Sequence, residues 1–373
     1  MNTPRGTRLR LCIVTPAHSG AQTGGAEYQI NCLIDELAAT SRYEIFYLAR
    51  LVDLAYVPHG YQIVQVGHTN RPPRFGYITD AVPLYRALRH LHPDVIYQRV
   101  ACGHTGIAAY FARRHGARMI WHVAHDSDVM RESVIDGGNP LRRLMEKASI
   151  RYGIRHVQGI VTQTRHQAQL LAANFGRQAD AVIPNFQPPP VEPVDKADSV
   201  TVLWIGSLKP WKQPEAFVRL AAACRDLQAV RFVLVGGGSD GTRWHEGLMR
   251  QIGVTDNLEY VGALSQVEVN RALARAHIYV NTSLYEGFPN TFIQAWMREV
   301  PVLSLHVDPD GVLEREQLGG CAGSEPRLAQ LVRKLVVNEP LRRAMGARCR
   351  GYANQHHSMA NVGRLVELIE AGN

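Results

Sequence analysis

Residues 278–305 read I-Y-V-N-T-S-L-Y-E-G-F-P-N-T-F-I-Q-A-W-M-R-E-V-P-V-L-S-L, and this segment is the most informative of the chain. It predicts an apolar strand over residues 278–282, a loop that carries Glu286, a short helix opened by Asn290, and a second apolar strand over residues 300–305. In an open α/β sheet, a loop that follows a strand lies at the carboxyl edge, where ligands bind. The stretch therefore predicts a ligand site on a parallel sheet.

The polar groups of this stretch suit a ligand with hydroxyls and phosphates. The Glu286 carboxylate accepts hydrogen bonds from hydroxyls, and Gln294, one turn into the predicted helix, does so through its carbonyl oxygen. The helix start at Asn290 and Thr291 directs backbone N–H groups at the loop, which favours an anion. We therefore predict a nucleotide-sugar site. The alternative is an ordinary βαβ unit with a polar loop.

The loop E-G-F-P-N-T resembles the E-x7-E signature of retaining glycosyltransferases of family four. The resemblance implies that Phe288 and Pro289 line the donor site, and that the fold is α/β of the GT-B type, with two Rossmann-like, doubly wound parallel-sheet domains facing across a cleft. The second Glu of the signature is Gln294, and the small residue usual before V-P-V is Glu299. Gln294 lacks the charge, so ribose binding is expected to be weaker.

The organisation of the 373-residue chain predicts two domains. Strand patterns, including one over residues 159–162, alternate with helical patterns on both sides of a Pro-rich segment. We predict an acceptor-side Rossmann-like domain over residues 1–186, a linker over 187–198 and a nucleotide-sugar-binding Rossmann-like domain over 199–357. By resemblance, residues 358–373 form a helix that crosses back to the first domain.

Composition indicates an ordinary globular protein. The six Cys residues form no C-x-x-C pair, which predicts unpaired thiols in a reducing compartment. The apolar run after the first arginines is too short for a signal peptide, and none approaches the roughly 20 residues of a membrane span. We expect a cytoplasmic protein.

The net charge of +8 lies in the N-terminal half. Residues 1–185 hold 21 Lys and Arg against 13 Asp and Glu, whereas the remainder holds 20 of each. This asymmetry predicts an anionic partner, or else a surface charge that serves only solubility, and the chain carries no nucleic-acid-binding motif. Four basic residues spaced four apart predict a helix that rests on the inner face of the plasma membrane, or else a solvated helix face: Arg143, Lys147, Arg151 and Arg155.

A glycine loop follows the first predicted strand. Gly24 and Gly25 lie before a predicted helix, where paired glycines let backbone approach a ligand. A purely structural turn is the alternative. The loop resembles the family's G-G-x-E loop, which implies that Gly24 and Gly25 close over the donor phosphates and that Glu27 faces the acceptor.

The segment W-H-V-A-H-D-S-D, residues 121–128, follows another apolar strand. Two histidines three apart beside two aspartates are one pattern for a metal site, but no third ligand position is evident. By position, His125 resembles the family's active-site histidine near the anomeric centre, whereas we expect His122 to point into the sheet. Asp126 and Asp128 orient the acceptor or cap the next segment. No metal or other cofactor is expected.

The loop after the first strand of the second domain carries Lys212, which matches a family lysine that clamps the diphosphate. The accompanying family arginine is Ser207 here, and Lys209 is a candidate replacement. A cation at this position stabilises the leaving group. Farther along, Gly237 and Val261 resemble the positions that meet the nucleotide.

These observations predict a glycosyltransferase that moves a sugar from a nucleoside diphosphate sugar to a hydroxyl of a glycan or lipid-linked acceptor, and the resemblance implies retention of configuration. His125, Glu286 and Lys212 are the predicted catalytic residues. Two alternative functions are compatible with the same residues. A GT-B epimerase makes product without any acceptor. A non-catalytic relative, motivated by Ser207 and Gln294, binds donor without turnover.

Overall fold

A computed structural model describes residues 8–21, 24–67, 76–130, 139–191, 193–238 and 241–371. The chain divides into two compact units. The first comprises Met1–Asn185 together with Met359–Asn373, and the second comprises Phe186–Ser358.

The first unit is built on a parallel sheet. Its strands in the described residues are β1 (Leu9–Ala17), β2 (Tyr43–Leu51), β3 (Gln62–Gln65), β4 (Val95–Arg99), β5 (Arg118–His122), β6 (Gly159–Thr162) and β7 (Ala181–Val182). Their order is β3-β2-β1-β4-β5-β6-β7, and all neighbours run parallel. The helices between them are α1 (Gly25–Ala38), α2 (Ala81–Leu91), α3 (Gly103–His115), α4 (Pro140–His156) and α5 (Arg165–Phe175).

The second unit repeats this plan. Its strands in the described residues are β8 (Val200–Ile205), β9 (Val230–Val235), β10 (Leu258–Gly262), β11 (Ile278–Asn281), β12 (Val302–Ser304) and β13 (Gly319–Cys321). Their order is β10-β9-β8-β11-β12-β13, again parallel. Its helices are α6 (Pro214–Ala223), α7 (Arg243–Gly253), α8 (Gln266–Arg275), α9 (Asn290–Trp296), α10 (Val312–Arg315), α11 (Glu325–Val337) and α12 (Glu339–His356).

The last helix, α13 (Ala360–Glu370), belongs to the first unit. Arg118, at the start of β5, donates hydrogen bonds to the carbonyl oxygens of Leu368 and Ala371. Tyr43, at the start of β2, donates to the Glu370 carboxylate. These bonds tie the end of the chain to the amino edge of the first sheet.

Burial explains the long apolar runs of the central strands. Leu11, Cys12, Ile13 and Val14 follow one another in β1, and none is exposed to solvent. Helices cover both faces of a parallel sheet, so its central strands meet no water on either side. The predicted α/β fold of two doubly wound parallel sheets is confirmed.

In both sheets the chain reverses its direction of travel across the sheet. The second unit runs outward from β8 through β9 to β10, then returns to place β11 on the other side of β8. The first unit does the same at β1 and β4. Ligands of such sheets bind outside the carboxyl ends of the strands at this point, so β8 and β11 define where to look.

The six cysteines are free thiols, as predicted. Five are buried, and Cys321 is partly exposed. Within the described residues, each helix is too short or too polar to cross a bilayer.

Candidate functional site

Two loops meet at the carboxyl edge of the second sheet, where its strand order reverses. Lys212 lies in the loop after β8, and Glu286 lies in the loop after β11. Lys212 Nζ donates a hydrogen bond to Glu286 Oε1, and the two form an ion pair. Their side chains are 23% and 12% exposed, respectively, so a ligand at this edge reaches both a cation and a carboxylate.

Hydrogen bonds behind the pair hold the two loops together. Thr282 Oγ1 donates to the carbonyl oxygen of Lys212 at 2.7 Å and accepts from Nε1 of the buried Trp204 at 2.8 Å. The N–H of Leu284 donates to the carbonyl oxygen of Trp211 at 2.8 Å. The backbone therefore places Lys212 beside Glu286 independently of their own ion pair.

Buried polar side chains orient the Glu286 carboxylate. Ser283 Oγ donates to Glu286 Oε1 at 2.7 Å, and the Ser283 N–H donates to Asn281 Oδ1 at 3.2 Å. Oε1 thus accepts from both Lys212 and Ser283. Oε2 is the oxygen that remains for a ligand hydroxyl.

Helix α9 begins at Asn290, directly after Pro289, as the sequence predicts. The hydroxyl of Thr291 accepts a hydrogen bond from Tyr279 OH at 3.0 Å. Tyr279 reaches this point from β11 and is buried. This bond fixes the first turn of the helix beside the Glu286 loop.

Two predicted donor-site residues are largely enclosed by protein. Phe288 is buried and packs edge-on against Trp296, with ring centroids 5.9 Å apart. Gln294 is 5% exposed. The burial of Phe288 results from packing of its loop onto α9. Only a small part of the Gln294 side chain is accessible to solvent.

The glycine turn after β9 is explained by the close approach of neighbouring loops. The Gly236 N–H donates to the carbonyl oxygen of Gly262 at 2.8 Å. A Cβ at Gly236 would overlap the carbonyl oxygen of Gly206, so only glycine fits. Gly237 shares this turn, and Val261 is half-exposed in β10 at the same edge. Both predicted nucleotide-contact positions therefore lie at the carboxyl edge.

The residues predicted beside Lys212 differ in their placement. Ser207 is exposed in the loop after β8. Lys209 Nζ lies over the ring of Trp211, 5.0 Å from its centroid, in a cation–π contact. Lys209 is therefore occupied by an aromatic ring, and Lys212 is the cation that meets Glu286.

In the first unit, His125 follows β5 and caps the 3₁₀ turn Asp126–Val129. Its Nδ1 accepts a hydrogen bond from the Ser127 N–H at 3.2 Å and lies 2.9 Å from Ser127 Oγ. Because Nδ1 is an acceptor, the neutral ring carries its proton on Nε2. His125 therefore presents a defined N–H donor.

The two aspartates after His125 are held by hydrogen bonds. Asp128 is buried, and its carboxylate accepts from the N–H groups of Ala101, Ala124 and His125 at 3.3, 3.0 and 3.1 Å, respectively. Asp126 Oδ1 accepts from Gln167 Nε2 at 3.0 Å. Asp128 is therefore a buried cap of the next segment, which is one of the two roles that the sequence leaves open for it.

His122 points into the sheet, as predicted. It is buried, and its Nδ1 lies 2.8 Å from Tyr97 OH. Burial, followed by the nearby Arg99 guanidinium, holds the pKa of His122 well below its usual range. His122 is therefore a neutral core residue. The described residues also contain no group of three His, Cys, Asp or Glu side chains that could hold a metal ion.

The predicted glycine loop leads into α1, whose first residue is Gly25. Gly24 precedes the helix in an extended conformation, and Glu27 in the first turn is buried. These residues and His125 belong to the first unit, whereas Lys212 and Glu286 belong to the second.

The sequence patterns do not single out Arg99, which ends β4 at the point where the first sheet reverses its strand order. It is 1% exposed, and its Nη2 donates to Asn185 Oδ1 at 2.9 Å. Burial lowers the pKa of the Arg99 guanidinium, and Tyr97 and Glu27 oppose that shift. A basic residue closing an apolar strand was the available signal.

Two family descriptions match most of the chain. Residues 24–186 match "Glycosyl transferase 4-like domain", and residues 199–338 match "Glycosyl transferases group 1". The chain is also similar to a D-inositol 3-phosphate glycosyltransferase of Stackebrandtia nassauensis, with 23% identity over 274 residues. That match covers 65% of this chain and spans 60% of the relative's length.

Solved structures share the fold over nearly the whole chain. HepE of Anabaena has a TM-score of 0.78 at 14% identity, with 98% of this chain and 100% of that chain covered. Sucrose-phosphate synthase of Thermosynechococcus elongatus has a TM-score of 0.77 at 16% identity, with 97% and 98% covered. This chain therefore belongs to the glycosyltransferases of the GT-B fold, with a glycosyl transferase 4-like domain followed by a group 1 domain.

Proposed function

We propose that this protein transfers a glycosyl unit from a nucleoside diphosphate sugar to a hydroxyl group of a glycan or lipid-linked acceptor. The observation that carries the proposal is the Lys212–Glu286 ion pair at the carboxyl edge of the second sheet, where the strand order reverses. A sugar diphosphate carries hydroxyls for the carboxylate and phosphate oxygens for the lysine. One loop pair thus meets both halves of the donor.

Different groups of the proposed donor site bind different parts of the nucleotide sugar. Glu286 Oε2 accepts hydrogen bonds from hydroxyls of the donor sugar, while Lys212 and the backbone at Asn290 and Thr291 bind the diphosphate. The amide of Gln294 takes a ribose hydroxyl at the edge of the pocket. The turn at Gly237 and the end of β10 receive the base.

Lys212 also acts on the transfer step itself. As the bond between the anomeric carbon and the phosphate oxygen breaks, negative charge grows on the departing diphosphate, and a fixed cation stabilises that charge. The acceptor hydroxyl oxygen bonds to the anomeric carbon, and its proton passes to the leaving phosphate. We assign retention of configuration and metal independence to this step on the basis of the family resemblance.

The base and sugar of the donor are open to direct test. HepE of Anabaena has been solved in complex with UDP and glucose, and with UDP-glucose. We therefore propose a uridine diphosphate sugar as the first donor to examine. The roles of five first-unit residues in binding the donor and the acceptor stay predictions: His125, Gly24, Gly25, Glu27 and Asp126.

A nucleotide screen followed by a turnover assay tests the proposal. Ligands that bind the folded state raise its melting temperature, so UDP, GDP and ADP are compared first. The matching nucleotide sugars are then incubated with and without glycan acceptors. Transfer that needs an acceptor and disappears in Glu286→Ala supports the proposal. Product without acceptor indicates an epimerase, and binding without turnover indicates a non-catalytic relative.

We propose that helix α4 rests on an anionic membrane surface. Arg143, Arg151 and Arg155 are exposed along it, and Lys147 is partly exposed. Three apolar residues near the start of the helix, which the periodicity places around its other side, are exposed as well: Leu141, Leu144 and Met145. Helix α4 instead buries Glu146, Ser149, Ile150, Gly153 and Ile154.

Exposed basic and apolar side chains along one helix are typical of helices that lie in a membrane interface. A cavity of about 460 Å³ beside the end of the helix, lined by Arg151, Arg155, Asn174 and Phe175, has the cations to receive an anionic headgroup. We place the protein at the cytoplasmic face of the membrane on this basis.

A further inference from the structure

A cavity of about 920 Å³ lies at the amino edge of the second sheet. The Pro-rich segment around Pro189 forms one wall and α12 forms another, while His277 and Glu299 come from the turns that precede β11 and β12. All strands of this sheet run parallel, so the residues before its strands lie at the edge opposite to Lys212 and Glu286. The cavity is therefore distinct from the donor site.

Basic side chains outnumber acidic ones in the wall of this cavity. The charged residues that line it are Lys196, Arg342, Arg343 and Arg350 against Glu299 and Glu339. The excess of two positive charges persists although Arg350 pairs with Glu299 at 2.9 Å and Arg343 pairs with Glu339 at 2.7 Å. A volume of this size lies in the range of small-molecule sites.

Two of the cations are held in place by backbone carbonyls. Lys196 Nζ donates to the carbonyl oxygens of Ala276 at 2.7 Å and Arg298 at 2.8 Å, which accounts for two of its three N–H donors. Arg342 is buried, and its Nη1 donates to the carbonyl oxygens of Leu335 and Val336 at 2.6 and 3.1 Å. These bonds fix both side chains and leave donors on each for another acceptor.

The titration of neighbouring groups reflects this positive field. Burial, followed by Arg342 and Lys196, lowers the pKa of His277 to about 4. Burial also lowers the pKa of Lys196 to about 8, with Glu299 opposing and Arg342 adding to the shift. Burial is the largest cause of both shifts, and the neighbouring cations add to it.

Glu299 occupies a backbone conformation that favours glycine. Its φ is +59°, in the left-handed region, where a side chain is strained. Helix α12 approaches it so closely that a Cβ on Gly346 would overlap the carbonyl oxygen of Glu299. Glu299 lines the cavity, and its carboxylate positions Arg350 through their ion pair at 2.9 Å.

We propose that this cavity is a second ligand site, which binds a small phosphate-bearing anion. Phosphate oxygens accept hydrogen bonds from Lys196, Arg342 and Arg343, and the proline wall packs against the apolar part of the molecule. Glu299 limits the affinity because its carboxylate competes with the ligand for Arg350.

Titration calorimetry with inorganic phosphate, at matched ionic strength, tests the site. Lys212→Ala removes the cation of the donor site, and we expect it to bind phosphate within about twofold of the unsubstituted protein. Arg343→Ala, added to Lys212→Ala, is expected to weaken phosphate binding about tenfold. Because the Arg343 side chain is 81% exposed, its loss leaves the fold intact.

Two further variants complete the experiment. Arg327→Ala removes an exposed arginine of α11 outside the cavity, and it serves as the charge-matched control with unchanged affinity. Glu299→Gly removes the competing carboxylate and the backbone strain, so phosphate affinity should rise several-fold with no loss of melting temperature. Unchanged or weaker affinity in that variant counts against the proposal.

The proposal is overturned by any of three results. Phosphate fails to bind the Lys212→Ala protein, Arg343→Ala binds as tightly as its parent, or Arg327→Ala weakens binding as much as Arg343→Ala. A vesicle arm separates the two sources of phosphate. If the protein does not bind free phosphate but binds anionic vesicles through Arg343, the cavity contacts a lipid surface instead. In that case the soluble-ligand proposal fails. None of these measurements depends on glycosyl transfer.

Discussion

Lys212 Nζ donates to Glu286 Oε1 although 74 residues separate them along the chain. They meet because β8 and β11 are neighbours in the sheet, so the loops after both strands leave from adjacent points of its carboxyl edge. Within the chain each side chain neutralises the other. The proposed binding of a nucleotide sugar replaces this ion pair by separate contacts to the carboxylate and to the lysine, so that each residue can be tested separately.

Substitution of Glu286 should remove most of the activity. Glu286→Ala leaves the donor-sugar hydroxyls without their acceptor, and we expect kcat/KM to fall about 100-fold, or roughly 2.7 kcal/mol. Glu286→Gln keeps an acceptor and should lose about tenfold. Steady-state transfer from the donor identified by nucleotide screening measures both. Undiminished transfer by Glu286→Ala contradicts the assignment.

Glu259→Gln is the matched control for this series. Glu259 lies in β10 of the same unit and makes an exposed ion pair with Arg231. Exposed pairs contribute roughly 0–1 kcal/mol to stability, so this variant should keep full activity. A comparable loss there would indicate a general effect of charge.

Substitution of Lys212 should act through the diphosphate. We expect Lys212→Ala to bind nucleoside diphosphate about tenfold more weakly, or roughly 1.4 kcal/mol, and to bind the bare nucleoside unchanged. Calorimetry with UDP and uridine measures the contrast. Lys209→Ala, whose ammonium lies over Trp211, is the lysine control and should change UDP affinity less than twofold. Equal losses for UDP and uridine would disprove the diphosphate role.

The backbone plan was predictable because it rests on patterns that repeat along the chain. Strand β6 has the predicted bounds, Gly159–Thr162, and α9 begins at the predicted Asn290. Apolar runs bounded by turn residues identify buried parallel strands regardless of their partners. The same strand patterns place Lys212 and Glu286 at one edge of the sheet, since the loops that carry them both follow parallel strands.

Side-chain direction was less predictable, because it depends on what each element packs against. Helix α4 carries apolar residues on more than one side, and only tertiary contact decides that Ile150 and Ile154 are buried while Leu144 is exposed. Asp128 likewise turns inward, because three backbone N–H groups converge on it. Arg99 ends a buried strand, where a charge is rare and periodicity predicts nothing.

Restoring the second glutamate of the signature should separate stability from donor affinity. Gln294 is 5% exposed, so the carboxylate of Gln294→Glu must be largely desolvated, at a cost above the ~1–3 kcal/mol of a neutral polar group. We expect a lower melting temperature, together with a larger increase on adding UDP, because a charged acceptor strengthens the ribose contact. Fluorimetric melts with and without UDP measure both effects.

Gln294→Ala is the companion variant, which removes the acceptor and should reduce the stabilisation by UDP. If Gln294→Glu is stabilised less by UDP than the unsubstituted protein, the ribose assignment is wrong.

Acid should destabilise the second unit through His277. Its Nδ1 accepts from the Thr201 N–H at 3.1 Å. Burial, then Arg342 and Lys196, lower its pKa to about 4, with Arg343 acting alike and Glu339 opposing. An unfolded histidine titrates near 6.5. Between these values the unfolded chain binds more protons, so this stability is present above about pH 6.5 and lost as pH falls towards 4.

Urea unfolding of His277→Gln at about pH 7.5 and about pH 5 tests whether His277 causes this loss of stability in acid. The variant should lose less stability on acidification than the unsubstituted protein. His306→Gln, at an exposed position, is the control and should follow the unsubstituted protein. Identical acid sensitivity of His277→Gln and the unsubstituted protein would exclude His277 as a source.

Membrane binding by α4 should depend on the position of its charges and not on their number. Each basic residue near an anionic surface contributes roughly 1 kcal/mol, so Arg143→Ala with Arg151→Ala should weaken binding to anionic vesicles about tenfold or more. Arg86→Ala with Arg89→Ala removes the same charge from exposed positions of α2 and should have little effect. Vesicle co-sedimentation at low and high salt measures both pairs, and Ala replacement of Lys147 and Arg155 as well should abolish the salt-sensitive part. If the two double variants lose vesicle binding equally, the effect depends only on net charge. That result would contradict a membrane contact of α4.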